Sequence, residues 1–318
     1  MLRFILSRLG ESAVVLLVMS AVVYSLIGLM PGDPIDLMIG ANPSLTATDV
    51  ARLRTLYGLD QPLHERYLNW LFAAVQGDFG YSRFYQRPVI EVIGPPLWHT
   101  TKLMGLAFLF STTIALSVGI AAALNHGKPL DRMVNLMAFA GISVPVFWLA
   151  LLLIVVFAVW LRWLPASGMQ TIDGSGGPFD SLRYLILPVI TLATAQTGRL
   201  ARYTRSSMIE VMRMDYIRTA RAKGVGQRRL VLRHALRNAM IPVVTVMAIS
   251  FGSLFSGALV TETMFAQRGM GKTIYDSILG NDFNLALMAL LFATLVTSLS
   301  NLVADLCYAW LDPRITME

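Results

Sequence analysis

Residues 215–242 read DYIRTARAKGVGQRRLVLRHALRNAMIP, from Asp215 to Pro242, and this stretch decides how the chain is laid out. It is a long polar segment set between two strongly apolar runs, and its charge is almost purely positive. Arg218, Arg221, Lys223, Arg228, Arg229, Arg233 and Arg237 are opposed within it only by Asp215. Such loops are retained on the cytoplasmic side of a bilayer, so the segment is expected inside. Tyr216 to Lys223 has good helix formers, and Gly224 and Gly226 interrupt. Leu230, Val231, His234 and Ala235 then recur at helical spacing up to Asn238, which is expected to cap the next helix. Two short helices with a glycine bend predict a compact docking surface.

The rest of the composition fits a loop held by a membrane. A mean hydropathy of +0.61, with 55% hydrophobic and 14% charged residues over 318 positions, argues for an integral membrane protein rather than soluble domains. The net charge of +7 would point to nucleic acid if it were spread over a soluble surface. Here the basic residues gather at the ends of apolar segments, which topology explains better. The lone Cys307 lies in an apolar run and excludes an intramolecular disulfide or a cysteine metal site.

Six spans are expected: Ala13–Met30, Thr101–Leu124, Met133–Leu161, Leu185 to about Met208, Ile241–Val260, and Leu285 to about Trp310. Arg3 and Arg8 precede the first, which is too long and lacks the cleavage pattern for a signal peptide. Pro145, in Ser143-Val144-Pro145-Val146-Phe147-Trp148, predicts a kink in the third. An even count puts both termini inside, and the basic residues then fall mainly on that face. The chain thus divides into 1–30 (N-terminus and first span), 31–100 (an outer loop) and 101–318 (the transmembrane core, with the cytoplasmic loop at 209–240). Within the outer loop two helices are expected. The first follows Thr46 and Asp49, carries Val50, Leu53, Leu56 and Tyr57 on one face, and stops at Gly58. The second begins after Asp60 and Pro62 and runs to Gly77.

The run Thr219-Ala220-Arg221-Ala222-Lys223-Gly224, then His234-Ala235-Leu236-Arg237-Asn238-Ala239 and Pro242, resembles the cytoplasmic "EAA" coupling loop of ATP-binding-cassette importer permeases. It is most similar to the oligopeptide, dipeptide and glutathione branch, first-permease type. Aligned on Gly224, the motif's Glu falls on Arg218, its first Ala on Thr219, and its Ile and Pro on His234 and Arg237, departures that look like that branch's own variant. Pro31-Gly32-Asp33-Pro34, Gly58-Leu59-Asp60-Gln61-Pro62 with Arg66-Tyr67, and Gly77-Asp78-Phe79-Gly80-Tyr81-Ser82 resemble the same family's periplasmic loop. Leu164-Pro165-Ala166-Ser167-Gly168, and Phe265 with Gly269-Met270-Gly271 and Asp282, extend the resemblance over nearly the whole chain.

The resemblance implies an all-α type I importer permease of six transmembrane helices, multi-pass in a bacterial or archaeal cytoplasmic membrane. It implies a second homologous permease, one or two kinds of cytoplasmic ATPase, and a periplasmic or lipid-anchored solute-binding protein. Arg218, Thr219, Ala220, Arg221, Ala222, Lys223, Gly224, His234, Leu236, Arg237 and Asn238 are the residues it assigns to ATPase coupling. No cofactor is expected in this chain, with ATP and Mg2+ belonging to the partner ATPases. Dipeptides, oligopeptides, glutathione, nickel chelates and sugars all remain open as solutes, with peptides favoured.

Other chemistry is weak. Ala266-Gln267-Arg268-Gly269-Met270-Gly271-Lys272-Thr273 ends like a phosphate-binding loop, but Ala266 replaces the first glycine and no strand–loop–helix pattern surrounds it. No catalytic triad, zinc motif or paired carboxylate stands out, so no catalytic or metal residue is assigned. Glu262 and Asp305 sit at or within apolar segments, where a carboxylate is costly, and with Pro145 and Trp148 they are candidates for a solute path or gate. An ion-driven transporter or channel-like pore is the alternative reading, and it leaves the loop pattern unexplained. A membrane-anchored nucleic-acid binder rests on the basic loop alone, which lacks interleaved aromatics and a reading module.

Overall fold

The computed structural model of the chain describes residues 2–29, 46–56, 60–171, 177 and 179–311. The Pro31–Pro34 run, the Gly58 stop and the closing Asp312-Pro313-Arg314 lie outside the described residues. Nearly all the regular structure is helical: α1 (Leu2–Gly28), α2 (Ala47–Leu56), α3 (Leu63–Val75), α4 (Val89–Leu124), α5 (Pro129–Ser143), α6 (Val146–Leu153), α7 (Asp180–Met212), α8 (Asp215–Ala222), α9 (Gln227–Arg229), α10 (Leu236–Met264), α11 (Met270–Leu279) and α12 (Phe283–Leu311). Two π-helical stretches, Ile154–Trp160 and Leu230–Ala235, continue α6 and join α9 to α10. A two-residue antiparallel pair, β1 (Tyr81–Ser82) with β2 (Arg87–Pro88), is the only sheet among the described residues.

Four helical segments are long and apolar enough to cross a bilayer, Ile5–Gly28, Val89–Leu124, Gln227–Gly252 and Phe283–Val303. A fifth span arises if α5 and the α6 segment count as one. The kink expected at Pro145 is a 104° break. Proline disfavours the helical conformation for the residue before it, and Val144 is extended (φ −78°, ψ 124°), so α5 ends at Ser143 and α6 restarts behind Pro145. α7 is 33 residues long, about 50 Å at 1.5 Å per residue. Its threonines, Gln196 and arginines dilute its hydropathy.

The chain packs as two compact units. One comprises Met1–Arg8, Trp98–Lys272 and Val296–Glu318, the other Leu9–Leu97 and Thr273–Leu295. In the first, α7 is the central helix, lying against α5, α6 and α10. Leu185, Leu192, Leu200, Thr204 and Met208 are buried along it. Gly198 permits the closest approach: a Cβ there would stand 2.5 Å from the Ala138 carbonyl oxygen of α5, so a side chain would drive the helices apart. Asp131, at the start of α5 and 3% exposed, fastens the same pair. Its carboxylate accepts hydrogen bonds from Arg205 Nε, Arg205 Nη2 (2.8 Å), the Gly127 amide (2.9 Å) and Asn135 Nδ2 (2.9 Å), with His126 Nδ1 at 3.3 Å.

In the second unit, α1, α3 and the start of α12 share a core of Val23, Ile27, Ala286 and Leu287 with Tyr24 and Trp70 against it. α2 begins with the expected cap, Thr46 Oγ1 accepting from the Asp49 amide at 3.3 Å and the Asp49 carboxylate accepting from the Thr46 amide at 3.0 Å. Between the expected fifth and sixth spans the chain forms a further helix, α11 (Met270–Leu279), which the sequence reading did not include.

Removing one partner of a buried ion pair leaves the other charge uncompensated, a loss of about 3 kcal/mol. Asp131→Ala should therefore lower the thermal unfolding midpoint of the detergent-purified protein. The double variant Asp131→Ala/Arg205→Leu should recover part of the loss, and a neutral single variant would show that the pair holds nothing.

Candidate functional site

The short helix α8 carries a single fully buried aliphatic side chain, Ile217. It sits in a cluster with Met208 and Val211 of α7, Ala123 of α4, Leu230, Val231 and Ala235 of the π-helical stretch, and Ala239 of α10. Asp215 lies in the first turn of α8 and Arg221 in the last, where each complements the helix dipole. The Thr219 hydroxyl donates to the Asp215 carbonyl at 3.0 Å. The helix ends where Gly224 takes φ +78°, and a Cβ at Gly224 would meet nothing of this chain within 4 Å. Gly226 (φ −60°, ψ 145°) then starts α9. The sequence-predicted helix, break and helix are therefore present, and Ile217 ties them to the ends of the long helices.

The coupling candidates separate by exposure. Arg218, Thr219, Arg221, Ala222, Lys223, Gly224, Arg237 and Asn238 are exposed and His234 is partly so. Ala220 and Leu236 instead pack onto the Ile217 cluster. Asn238 is not a cap: the helix runs through it, and its Nδ2 donates to the Tyr216 hydroxyl (2.9 Å) and the His234 carbonyl (3.3 Å). The expectation failed because helical spacing from Leu230 onward merges with the next apolar run without a break. Asn238 thereby clips α8 to α10 at the loop's open face. The result is a rigid, strongly basic knob whose inward side is hydrocarbon and whose outward side is guanidinium, ammonium and glycine.

The remaining candidates are dispersed. Glu262 is buried: it accepts from the Thr100 hydroxyl, from the Lys272 amide (3.0 Å) and from the Gly271 amide, and Thr100 Oγ1 in turn accepts from the Met270 amide (2.7 Å). These N–H groups belong to the first turn of α11, where a helix offers no carbonyl of its own to accept them, so Glu262 serves as that helix's N-terminal acceptor. Nearby, buried Gln267 donates to the Gly168 carbonyl (2.5 Å) and its Oε1 meets His99 Nε2. Asp305 pairs with Arg8 at 3.1 Å. Pro145 sits at the 104° break and Trp148 is exposed on α6. No group of three or more His, Cys, Asp or Glu side chains is arranged to hold a metal among the described residues.

Sequence reasoning missed the Asp131–Arg205 pair, whose partners are separated by 74 residues, and it missed the role of Ile217. The second had a signal, since Ile217 and Ala220 are the i, i+3 apolar pair in an otherwise polar helix.

Two families match the chain. "Binding-protein-dependent transport system inner membrane component" covers residues 115–317, and the N-terminal membrane component of such systems covers residues 1–91. The chain is 41% identical over 319 residues to a glutathione transport system permease protein of Salmonella typhimurium, with 99% of each chain covered. It is 36% identical to an oligopeptide transport system permease protein of Bacillus subtilis over 316 residues and 38% identical to a di/tripeptide transport system permease protein of Pseudomonas aeruginosa over 336, each again with 99% coverage of both chains. In fold it is similar to the MetNI methionine ABC transporter in an inward-facing conformation, with a TM-score of 0.58 at 16% identity over 70% of this chain and 97% of that one. The chain, a multi-pass inner-membrane permease subunit, belongs to the family of binding-protein-dependent transport system inner membrane components.

Proposed function

We propose that this permease moves peptides or closely related small solutes, glutathione among them, into the cytoplasm by ATP-driven alternating access. The observation that carries the reading is the basic knob, anchored inward by Ile217 and open outward around Gly224. The names of the relatives favour peptides and glutathione. In this reading the spans are six: α1, α4, the bent α5 and α6 pair, α7, α10 and α12, with both termini and the basic knob cytoplasmic in a bacterial or archaeal cell. A second homologous permease completes the pathway, a binding protein delivers solute on the opposite face, and ATP with Mg2+ is held by separate ATPase subunits.

The mechanical argument follows from packing. Closure of an ATPase pair displaces whatever sits in its surface groove, and a short helix transmits that displacement only if its far side is fixed. Ile217 meets Met208 and Val211 within one cluster, so motion of α8 is passed to α7. Gly198 and the Asp131–Arg205 pair hold α7 against α5, so α7 carries α5 with it. Glu262 and Asp305, the carboxylates the ion-driven alternative would call on, are already engaged, by the α11 amides and by Arg8.

Gentle detergent purification of the tagged protein from its own cell should bring a second permease and ATPase subunits, with hydrolysis stimulated by the binding protein. A stable complex devoid of ATPase, obtained where a known ATP-driven importer stays intact, would overturn the proposal. Gly224→Trp should leave insertion and assembly intact while uncoupling hydrolysis from uptake, because the new side chain projects into the docking face. Gly77→Ala is the control, since Gly77 has a similar φ of +88° and open space around it. It incurs the same backbone penalty of about 1 kcal/mol and should transport normally. Normal uptake by Gly224→Trp would remove the coupling assignment.

A further inference from the structure

Helix α3 lies in the segment whose sequence reads as an extramembrane loop, yet its contacts are with spanning helices. Leu63 packs against Gly28 at the end of α1, since a Cβ there would come within 2.6 Å of Leu63 Cδ1. The Tyr67 hydroxyl reaches Ser20 Oγ at 2.9 Å and the Leu17 carbonyl at 3.4 Å. Trp70 packs on the core that α1 shares with Ala286 and Leu287 of α12. Just beyond α3, Asn284 Nδ2 donates to the Tyr81 carbonyl at 3.1 Å, and Ser82 Oγ donates to Asp282 at 2.5 Å. The segment therefore starts at the end of one span and finishes at the end of another, running across both within the last turns of α1 and the first turns of α12.

At 3.6 residues per turn α3 has three stripes. Leu63, Tyr67, Trp70 and Ala74 are partly buried and form the protein side. Leu68, Phe72 and Val75, at i, i+4 and i+7, are 46%, 66% and 81% exposed. Glu65, Asn69 and Gln76 form an exposed polar stripe beside them. A helix lying flat at a membrane surface, with protein on one side, needs an apolar flank turned to the acyl chains and a polar flank turned to water. Tyr24, Tyr67 and Trp70 form an aromatic cluster with ring centroids 5.5 to 6.2 Å apart, Tyr67 stacked on Trp70 and Tyr24 edge-on to Tyr67. Such aromatic residues are those that settle at headgroup level. On α1, against which α3 packs, Leu17, Val18, Val22 and Leu26 are likewise exposed, an apolar surface on a membrane-spanning helix.

We propose that α3 is an interfacial helix seated in the outer leaflet, with Leu68, Phe72 and Val75 against lipid acyl chains and Glu65, Asn69 and Gln76 in water. It fixes the depth of the outer loop beside the ends of α1 and α12. This rests on the protein's place in the inner membrane and on the six-span orientation for the choice of leaflet, not on the identity of the solute.

The test is depth-resolved quenching on the full chain in lipid nanodiscs. Single cysteines at Phe72, Val75, Asn69 and Gln76, in a Cys307→Ser background, are labelled with bimane. Labels at Phe72 and Val75 should lose fluorescence in bilayers of acyl-brominated phosphatidylcholine and resist iodide, and those at Asn69 and Gln76 should do the reverse. Iodide quenching at all four positions, or protection of Phe72 and Val75 from both quenchers, would overturn the proposal in favour of water or of a protein partner respectively. The unmodified chain gives a second reading through photoactivatable lipid. Crosslinks on residues 68–75 are expected, and their absence while α1 is labelled would likewise overturn it.

Discussion

A hydrocarbon solvent offers the peptide backbone no hydrogen-bonding partner, so every segment inside it has to satisfy its own amides. That constraint explains why the described residues are almost wholly helical and how the polar ones among them are accommodated. Thr191, Thr194 and Thr197 of α7 each donate to the carbonyl four residues earlier, at 2.6 to 2.9 Å, and Thr113, Ser117, Thr294 and Ser300 do the same on α4 and α12. α7 can thus be rich in hydroxyls and still sit at the centre of its unit. Where the helical ladder is absent, around Gly168 and Gln267, other groups supply the partners. Gln267 bonds the Gly168 carbonyl, and the Gly168 amide donates to the Phe265 carbonyl at 2.9 Å.

Polar groups concentrate at opposite ends of the unit built on α7. At one end Asp131, Arg205 and His126 join α5 to α7 beside the Ile217 cluster. At the other, Glu262 and Thr100 accept from the first-turn amides of α11. Between them the helices approach closely, as Gly198 against the Ala138 carbonyl and Gly141 against Thr194 illustrate.

The all-helical membrane class and the position of the basic loop were legible because both rest on short-range signals. Apolar runs about 20 residues long, basic clusters at their ends, and a glycine between two short helical patterns each act within a few turns. Misreadings arose where a signal was local but its outcome was not. Pro145 ends a helix, and its sequence does not say whether the chain then continues at a modest angle or turns by 104°. Asn238 has the composition of a cap, and its side chain is instead taken by Tyr216. α11 was obscured because glycines at 269, 271 and 280 resemble loop, while the groups that take its first amides, Glu262 and Thr100, lie outside the helix.

The sequence by itself determined that this protein lives in a bilayer, where its basic knob begins and ends, and which residues stand on that knob. These depend on hydropathy, charge and propensity, which are summed along the chain. Only the tertiary structure decided that Ala220 and Leu236 face inward, that Asp131 meets Arg205, that Glu262 is an N-terminal acceptor rather than an open charge, and that α3 lies against the ends of two spans. Each of these depends on which residues, scores of positions apart, are brought within a few ångströms, and an unaligned sequence holds no term that couples such distant positions.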